Sequence, residues 1–185
     1  DAAHQLKTPL AGLRTQAELA LRDASPEEMQ SSLRQLVTGS ERATRLVNQL
    51  LLLARAETPD ATGLARVDLN TIAYDQTMQW VPQALNLGTD LGFEGNPTAL
   101  YVNGNPILLA ELLNNLIDNA LRYTPRGGHI TVRVRAPNPL AIVEVEDSGP
   151  GIAPHERERV FDRFYRVLGT VSDGSGLGLA IVREI

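Results

Sequence analysis

The chain has 185 residues, which allows one large domain or two small ones. It carries 17 basic and 22 acidic side chains, and this net charge of −5 argues against a general binder of nucleic acid or anionic membranes. The absence of cysteine excludes disulfides and cysteine-ligated metals, and no apolar run approaches the ~18–20 residues that span a bilayer.

Two long helices are predicted at the start of the chain. Over residues 1–22, apolar or small residues recur at spacings of three and four, and residues 25–28 (Ser-Pro-Glu-Glu) form a capping box for a second helix that runs to about Glu57. The seam of the second helix comprises Met29, Leu33, Leu36, Ser40, Ala43, Val47, Leu50 and Ala54. A lone hairpin buries such narrow seams poorly. We therefore predict a homodimer whose hairpins form a four-helix bundle, in preference to a hairpin packed on its own C-terminal domain.

A change of pattern follows the second helix. Residues 58–66 are polar with Pro and Gly, so they predict a linker between domains at 1–57 and 67–185. Residues 1–57 have no net charge, and the rest of the chain carries the whole −5. Strands are expected at 67–69, 91–93, 99–103, 130–135 and 141–146, and helices at 70–85 and 106–122. Because the last two strands form a hairpin, we expect an α+β sandwich rather than a doubly wound sheet.

Two glycine-rich segments lie in the second domain. One is 147–151 (Asp-Ser-Gly-Pro-Gly), directly after the last strand, and the other is 174–179 (Gly-Ser-Gly-Leu-Gly-Leu), before an apolar helical run. Glycines before a helix let backbone N–H groups converge on an anion, although most such segments are simple turns. The second segment is neither a dinucleotide fingerprint, because no βαβ unit contains it, nor a Walker loop, because no lysine follows.

Polar side chains occur at unusual places in two of the predicted helices. Asn115 and Asn119 are four residues apart and share a helical face, where two carboxamide oxygens could bind Mg²⁺; the alternative is a solvated pair. His4 flanks the first seam, and its imidazole is a candidate nucleophile, although a lone surface histidine usually has no such role. Pro9, one turn later, should kink the helix.

These segments together resemble the motifs of the sensor histidine kinases of two-component systems. In order, residues 4–13 are similar to the H-box, 115–125 to the N-box, 147–152 to the G1 box, 160–165 to the F-box and 174–179 to the G2 box. The motifs cover essentially the whole chain in the order that the family has. The H-box segment, which begins His-Gln-Leu-Lys-Thr-Pro, also resembles the tricarboxylate-transport sensor subgroup.

The resemblance implies a dimerisation and phosphotransfer hairpin, followed by the Bergerat-type ATP-binding domain that gyrase, Hsp90 and MutL share. His4 would accept the γ-phosphoryl group of ATP, and an aspartate of a response regulator receiver domain would then receive it. Asn119, with Asn115 beside it, would bind Mg²⁺, and Asp147 would bind the adenine amino group. The other implied nucleotide-site and lid residues are Arg122, Tyr123, Gly149, Gly151, Phe161, Phe164, Gly174, Gly176, Gly178 and Leu179.

The H-box departs from the family at one position. Most members have an acidic residue directly after the phosphoacceptor histidine, where this chain has Gln5. A carboxylate would orient the imidazole and accept its proton, whereas glutamine is no base at neutral pH, so we expect slower autophosphorylation. Thr8, which the family uses to position water for dephosphorylating the regulator, is present, and it implies regulator phosphatase activity.

Two other functions stay open at this point. A Bergerat-type ATPase clamp would have a water-activating glutamate four residues before the magnesium-binding asparagine, but Asn115 occupies that position. A non-catalytic dimeric scaffold would need neither Asn119 nor Asp147. The resemblance also implies that the chain is the cytoplasmic portion of an inner-membrane sensor, and that further strands follow Ile185.

Overall fold

The computed structural model describes residues 2–22, 25–56, 63–137, 140–167 and 175–185. The chain divides into two compact units, Asp1–Arg55 and Ala56–Ile185. None of the helices in the described ranges combines the length and the apolar character needed to cross a membrane.

The first unit is a helical hairpin of α1 (Ala2–Ala20) and α2 (Pro26–Ala56). The predicted cap of α2 is present, because the Glu28 N–H donates to Ser25 Oγ at 3.2 Å. Glutamates in the first turn of α2 add favourable charge at the positive end of the helix dipole. Both helices therefore form where the sequence predicts them.

The hairpin has little interior of its own. A Cβ built on Gly39 of α2 would lie 2.8 Å from Leu13 Cδ2 of α1, so the absence of a side chain there lets the helices approach closely. Only Ala20 and Leu53 are buried among the described apolar residues of this unit. Eight large apolar side chains are between 41% and 87% exposed: Leu10, Leu19, Leu21, Met29, Leu33, Val37, Val47 and Leu51. Met29, Leu33 and Val47 belong to the predicted seam of α2, so this seam is only partly covered within the hairpin.

The second unit mixes strands and helices. Its elements are β1 (Ala65–Asp68), α3 (Leu69–Leu87), β2 (Asp90–Glu94), β3 (Tyr101–Gly104), α4 (Pro106–Tyr123), β4 (His129–Arg135), β5 (Ile142–Asp147), two short 3₁₀ turns (Pro154–Glu156 and Arg159–Phe161) and α5 (Gly178–Glu184). The boundaries of β1 correct the prediction, because β1 takes two residues from the expected linker. Leu69, expected in the strand, opens α3 instead, since Asp68 Oδ1 accepts the Asn70 N–H at 3.1 Å and caps the helix.

The strands form two small sheets. In the larger sheet the order is β2-β4-β5, with β2 parallel and β5 antiparallel to β4. The register pairs Val132 with Phe93 on one side and with Val145 on the other. The smaller sheet is an antiparallel ribbon of β1 and β3. The expected antiparallel hairpin and the α+β class are confirmed, whereas the parallel β2–β4 pair is not a pattern that local periodicity could predict.

The core lies between the larger sheet and the helices α3 and α4. It is built by ten buried apolar residues: Leu69, Ala73, Ala84, Leu113, Ile117, Ala120, Leu121, Ile130, Val132 and Val134. Strand β4 alternates between buried and outward-facing residues, as its sequence predicts. Helix α4 presents one apolar face to this core, which fixes the direction of its remaining faces.

Candidate functional site

The asparagines of α4 have two different roles in the fold. Asn114 Oδ1 accepts the Trp80 Nε1–H of α3 at 2.9 Å, so this side chain joins the two helices. Asn115 and Asn119 are partly buried, and the spacing of four residues puts them on one face of α4. The richness of this helix in asparagine is thus partly structural, and the two predicted site residues are a separate pair.

Asn115 lies beside the second glycine-rich segment. Its Nδ2 donates to the Glu111 carbonyl at 2.8 Å, one turn earlier on α4. A Cβ built on Gly178, the first residue of α5, would lie 3.2 Å from Asn115 Oδ1. The carboxamide oxygen therefore points toward the start of α5. Leu177, Ala180 and Ile181 are buried and hold this end of the segment in place.

The first glycine-rich segment lies beside the C-terminal end of α4. Asp147 ends β5 with its side chain exposed, and its Oδ1 accepts the Gly149 N–H at 2.8 Å. A Cβ built on Gly149 would lie 2.9 Å from the Tyr123 carbonyl oxygen, so only glycine fits here without a shift of the backbone. Gly151 differs: its φ is +71°, and a Cβ there would meet nothing within 4 Å.

Ser148 is part of this arrangement, and sequence reasoning missed it. Its N–H donates to the His129 carbonyl at 3.0 Å, and its Oγ accepts the His129 N–H at 2.9 Å. These bonds continue the β4–β5 ladder into the glycine-rich segment and so fix the turn that carries Asp147. The only signal in the sequence is a short polar side chain next to a glycine, which is typical of any turn.

Arg122 and Tyr123 end α4, next to the first glycine-rich segment. Arg122 Nε and Nη2 lie 2.9 Å and 2.8 Å from Asp118 Oδ2, one turn earlier, and both side chains are about three quarters buried. This ion pair holds the guanidinium along the helix. Tyr123 is partly buried, and its carbonyl is the group against which Gly149 packs. A role of either residue toward phosphate or ribose stays a prediction.

Phe164 and Gly176 contact each other through their backbones. Phe164 has a φ of +65°, and its N–H donates to the Gly176 carbonyl at 2.8 Å. Gly176 has a φ of +71°, and a Cβ there would lie 2.7 Å from the Phe164 carbonyl carbon. A non-glycine residue in the left-handed region costs about 1–3 kcal/mol and is typical of functional sites. Close backbone approach explains this glycine of the second segment.

The aromatic cluster continues into the 3₁₀ turns. The Tyr165 hydroxyl donates to Glu156 Oε2, and this hydrogen bond raises the pKa of Tyr165 above its ordinary value. The Arg159 guanidinium lies 4.3 Å from the centre of the Tyr165 ring, a cation–π distance. Phe161, in contrast, is 36% exposed, so the predicted cluster is only partly packed.

For most of the remaining predicted site residues, the structure describes only the backbone or does not describe the residue. His4, Gln5 and Thr8 lie on α1, in the first unit, and their side chains are outside the described part of the chain. Gly174 also lies outside the described residues, whereas Leu179 is a partly buried residue of α5. Within the described ranges, no group of three His, Asp or Glu side chains is placed to hold a metal ion.

Two families match the chain, one for each unit. Residues 1–59 match the His Kinase A (phospho-acceptor) domain. Residues 104–185 match the histidine kinase-, DNA gyrase B- and HSP90-like ATPase family, which implies an ATP-binding domain. The order of the two matches is that of the hairpin and the α+β unit.

Relatives of known name align with the whole chain. Sensor protein kinase PmrB of Pseudomonas aeruginosa is 41% identical over 190 residues, and sensor protein QseC of Escherichia coli (strain K12) is 40% identical over 187 residues. Each alignment covers 100% of this chain, but 39% of PmrB and 41% of QseC. The chain therefore spans about two fifths of the length of these relatives.

Solved structures share the fold. Full-length ShkA in complex with AMPPNP superposes with a TM-score of 0.71 at 26% identity, over 98% of this chain and 38% of that one. The cytoplasmic segment of histidine kinase QseC gives a TM-score of 0.53 at 30% identity, over 78% of this chain and 77% of that one.

Proposed function

Because the chain belongs to the sensor histidine kinases of two-component systems, we propose that it transfers the γ-phosphoryl group of ATP to His4 and then to an aspartate of a response regulator. One observation carries the nucleotide half of this proposal. Gly149 packs on Tyr123 and Gly178 packs on Asn115, so both glycine-rich segments meet the helix that bears the two asparagines. The similar solved structure of ShkA is a complex with AMPPNP, an analogue of ATP, and it supports the binding of a nucleotide by this fold.

The residues fit a magnesium nucleotide. Asn115 Oδ1 points toward the second glycine-rich segment, and a carboxamide is a neutral oxygen ligand of the kind that Mg²⁺ accepts beside water and phosphate oxygens. Asn119 would hold the ion together with Asn115, and the ion would neutralise phosphate charge. The exposed Asp147 carboxylate can accept a hydrogen bond from the adenine amino group. The turn at Ser148 and Gly149 fixes the position of this carboxylate.

The phosphoryl transfer itself needs positioning more than covalent help. A ring nitrogen of His4 attacks the γ-phosphorus as the bond to the β–γ bridging oxygen breaks, so ADP leaves and the imidazole loses a proton. Gln5 can orient the ring by a hydrogen bond but cannot take that proton, which passes to water. A regulator carboxylate then attacks the phosphorus and regenerates the histidine. Thr8 would support a second activity, which is hydrolysis of the phosphorylated regulator.

The α4 sequence favours transfer over hydrolysis. A hydrolytic clamp needs a carboxylate base four residues before Asn119, and the carboxamide of Asn115 cannot activate water at that position. The scaffold alternative has no use for the fixed turn at Asp147. Neither alternative gives His4 a role.

We also propose that the active form is a homodimer and that the chain is the cytoplasmic part of an inner-membrane sensor. The eight exposed apolar side chains of the hairpin support the first statement, because a second hairpin would cover them. The second is supported by relatives named as sensor proteins, of which the chain spans about two fifths.

The test is incubation with γ-³²P-labelled ATP and Mg²⁺, followed by transfer to a panel of purified response regulators. We expect acid-labile, base-stable phosphate that is absent in His4→Gln and at least about 100-fold reduced in Asn119→Ala. Asn86→Ala, an exposed asparagine on α3, is the matched control and should label normally. Equal labelling of the His4 variant, or a base-labile phosphate, would contradict the proposal.

A further inference from the structure

The larger sheet has a free edge at β2. Strand β4 pairs with β2 on one side, and no strand among the described residues pairs with β2 on the other. The Asp90 N–H donates at 2.9 Å to the carbonyl of Gly128, the residue before β4. Because the backbone groups of successive strand residues point to opposite sides, the N–H and C=O groups of Leu91 and Phe93 point to the free edge. An edge of this kind is a template for a further strand.

Strand β2 has few of the features that usually keep a second strand from such an edge. It contains no proline and no lysine, and its register with β4 is regular from Asp90 to Glu94, so no bulge turns the edge away. A Cβ built on Gly92, at the centre of the strand, would meet nothing within 4 Å. The two acidic side chains at its ends are the one protective feature present. They restrict which strand can add rather than exclude all strands.

Exposed apolar side chains of α3 lie beside this edge. The α3 stripe consists of Tyr74, Met78 and Leu85, which are 48%, 37% and 72% exposed, and their spacings of four and seven residues put them on one face of the helix. The Tyr74 ring packs edge-on against Phe93 of β2, with 5.5 Å between the ring centres. A strand added to β2 would place every second side chain on the side of the sheet that α3 covers.

The α3 stripe lies on the flank of α3 that is away from α4. Trp80, whose Nε1–H donates to Asn114 of α4, is on the other flank of the helix, because helical spacing separates it from the stripe by more than a quarter turn. At the C-terminal end of the stripe, Leu85 and Leu91 line a cleft of about 470 Å³ between α3 and β2. The cleft has room for an apolar side chain of an added strand.

The charges on β2 and α3 indicate which segment fits. Each of the charged side chains of these two elements is acidic: Asp75 on α3, and Asp90 and Glu94 on β2. Glu94 bonds to Arg133 of β4 but is still 61% exposed. Pairing of β2 with the β2 of a second copy would bring acidic side chains together in either strand direction, and like charges across a strand pair are destabilising. The edge therefore favours a basic strand over a second copy of itself.

We propose that the free edge of β2 binds an extended segment of a partner protein in which apolar residues alternate with lysine or arginine. Its backbone pairs with Leu91 and Phe93, its apolar side chains lie against the α3 stripe, and its basic side chains lie beside Asp90 and Glu94. The surface lies wholly in the ATP-binding unit, and its occupation does not depend on the proposed phosphotransfer.

The test is a ¹⁵N NMR titration of the whole chain with an acetylated and amidated heptapeptide, Lys-Val-Lys-Leu-Lys-Val-Lys. We expect saturable shifts of the amide signals of residues 90–94 and slower exchange of the Leu91 and Phe93 amide hydrogens with solvent. Two control peptides should bind at least about tenfold more weakly. One has glutamate in place of every lysine, and the other, Lys-Lys-Val-Leu-Val-Lys-Lys, has the same composition without the alternation.

Two substitutions at Gly92 change the charge of the edge in opposite directions. Because a side chain has open space there, both variants should fold. Gly92→Lys should weaken binding of the alternating peptide by about tenfold, and Gly92→Glu should strengthen it. Leu85→Ser removes an exposed apolar contact without changing the charge and should weaken binding by about threefold or more. Leu140→Ser is the matched control, since Leu140 is 62% exposed in the turn before β5, and it should bind the peptide as the wild type does.

Four results would overturn the proposal. The first is the absence of saturable shifts at residues 90–94, and the second is equal affinity of the two Gly92 variants for the peptide. The third is wild-type affinity in Leu85→Ser, which would mean that the peptide does not lie against the α3 stripe. The fourth is a shift of these signals with protein concentration in the absence of peptide, which would show that a second copy occupies the edge.

Discussion

The hairpin buries two apolar side chains among its described residues, whereas the ATP-binding unit buries fourteen. In the hairpin, helix periodicity and capping fix the local structure, but eight large apolar side chains stay exposed. In the ATP-binding unit, helices and sheet enclose a core, and Ile117 and Val132 at its centre are inaccessible to solvent. The difference teaches that one unit encloses its own core, while the described part of the other leaves exposed the apolar surface that we propose a second hairpin covers.

The strongest test of this difference is a substitution that creates a cavity in the core of the ATP-binding unit. Ile117→Ala on α4 should lower the free energy of unfolding of the ATP-binding unit by about 2–5 kcal/mol, because the side chain is fully enclosed and its neighbours can collapse only in part. Ile107→Ala on the same helix is the matched control: at 65% exposed it should cost less than about 0.5 kcal/mol. Calorimetry with urea titration measures both, and equal costs would mean that the core is not where the structure has it.

The complementary test places a charge on the exposed apolar surface of the hairpin. Leu33→Glu should raise the dimer dissociation constant by about 100-fold or more, because the proposed bundle would have to bury an unpaired carboxylate. Sedimentation equilibrium measures this, and the transition of the ATP-binding unit should stay unchanged. Ser31→Glu adds the same charge at an exposed polar site of α2 and should leave the dimer intact. A dimer that tolerates both changes would place its interface elsewhere.

Much of this contrast follows from the sequence, and the exceptions share a physical cause. Periodicity and caps predict α2 and α4 within about two residues, because a helix is decided by neighbours three and four positions apart. The parallel pairing of β2 with β4 depends on chain segments that α4 separates, and no local pattern contains it. The same holds at the candidate site. The asparagine at position 114 is explained by its hydrogen bond with Trp80, and the glycine at position 176 by the close approach of the Phe164 backbone. Both contacts join residues that are distant in sequence.

Two glycines of the ATP-binding unit that have the same φ, Gly151 and Gly176, can separate the cost of a backbone clash from the cost of a positive φ. Gly176→Ala should destabilise the ATP-binding unit by about 2–3 kcal/mol, because it adds a clash with the Phe164 backbone to the cost of a positive φ. Gly151→Ala, also at +71° but with open space around it, should cost about 1 kcal/mol. Urea unfolding measures both. If the two variants are equally stable, the contact at Phe164 contributes nothing.

A change in the hairpin can also test whether the phosphoryl transfer depends on one unit and nucleotide binding on the other. Gln5→Glu should raise the autophosphorylation rate by about tenfold, since a carboxylate can accept the proton that the imidazole loses. The KM for ATP should not change, because the proposed nucleotide site lies in the other unit. Rapid-quench labelling at saturating ATP measures the rate. Gln5→Leu, which cannot hydrogen-bond, should be slower than the wild type. An unchanged or lower rate in Gln5→Glu would show that the missing carboxylate does not limit transfer.

The smallest expected effect concerns charge on the outer face of the sheet. Arg133 on β4 bonds to Glu94 on β2 and to Glu146 on β5, and this guanidinium lowers the pKa of Glu146 below its ordinary 4.5. A lowered pKa means that the stabilisation is present above pH 4.5 and is lost as the pH falls through the lowered value. Glu146→Gln should therefore reduce the melting temperature slightly at pH 7 but not near pH 2. High salt should shrink the difference, because the pair is exposed. A difference that is independent of pH would exclude the ion pair as its cause.

Strand β4 has a consequence for how the molecule opens. It is the only described strand of the larger sheet that is paired on both sides, and Ile130, Val132 and Val134 are at most 2% exposed. Its amide hydrogens should therefore exchange with solvent last, only when the whole unit unfolds. Ser148 is bonded to the first residue of this strand, His129, through both its N–H and its Oγ. In hydrogen-exchange terms, the turn that carries Asp147 therefore belongs to the slow-exchanging part of the unit.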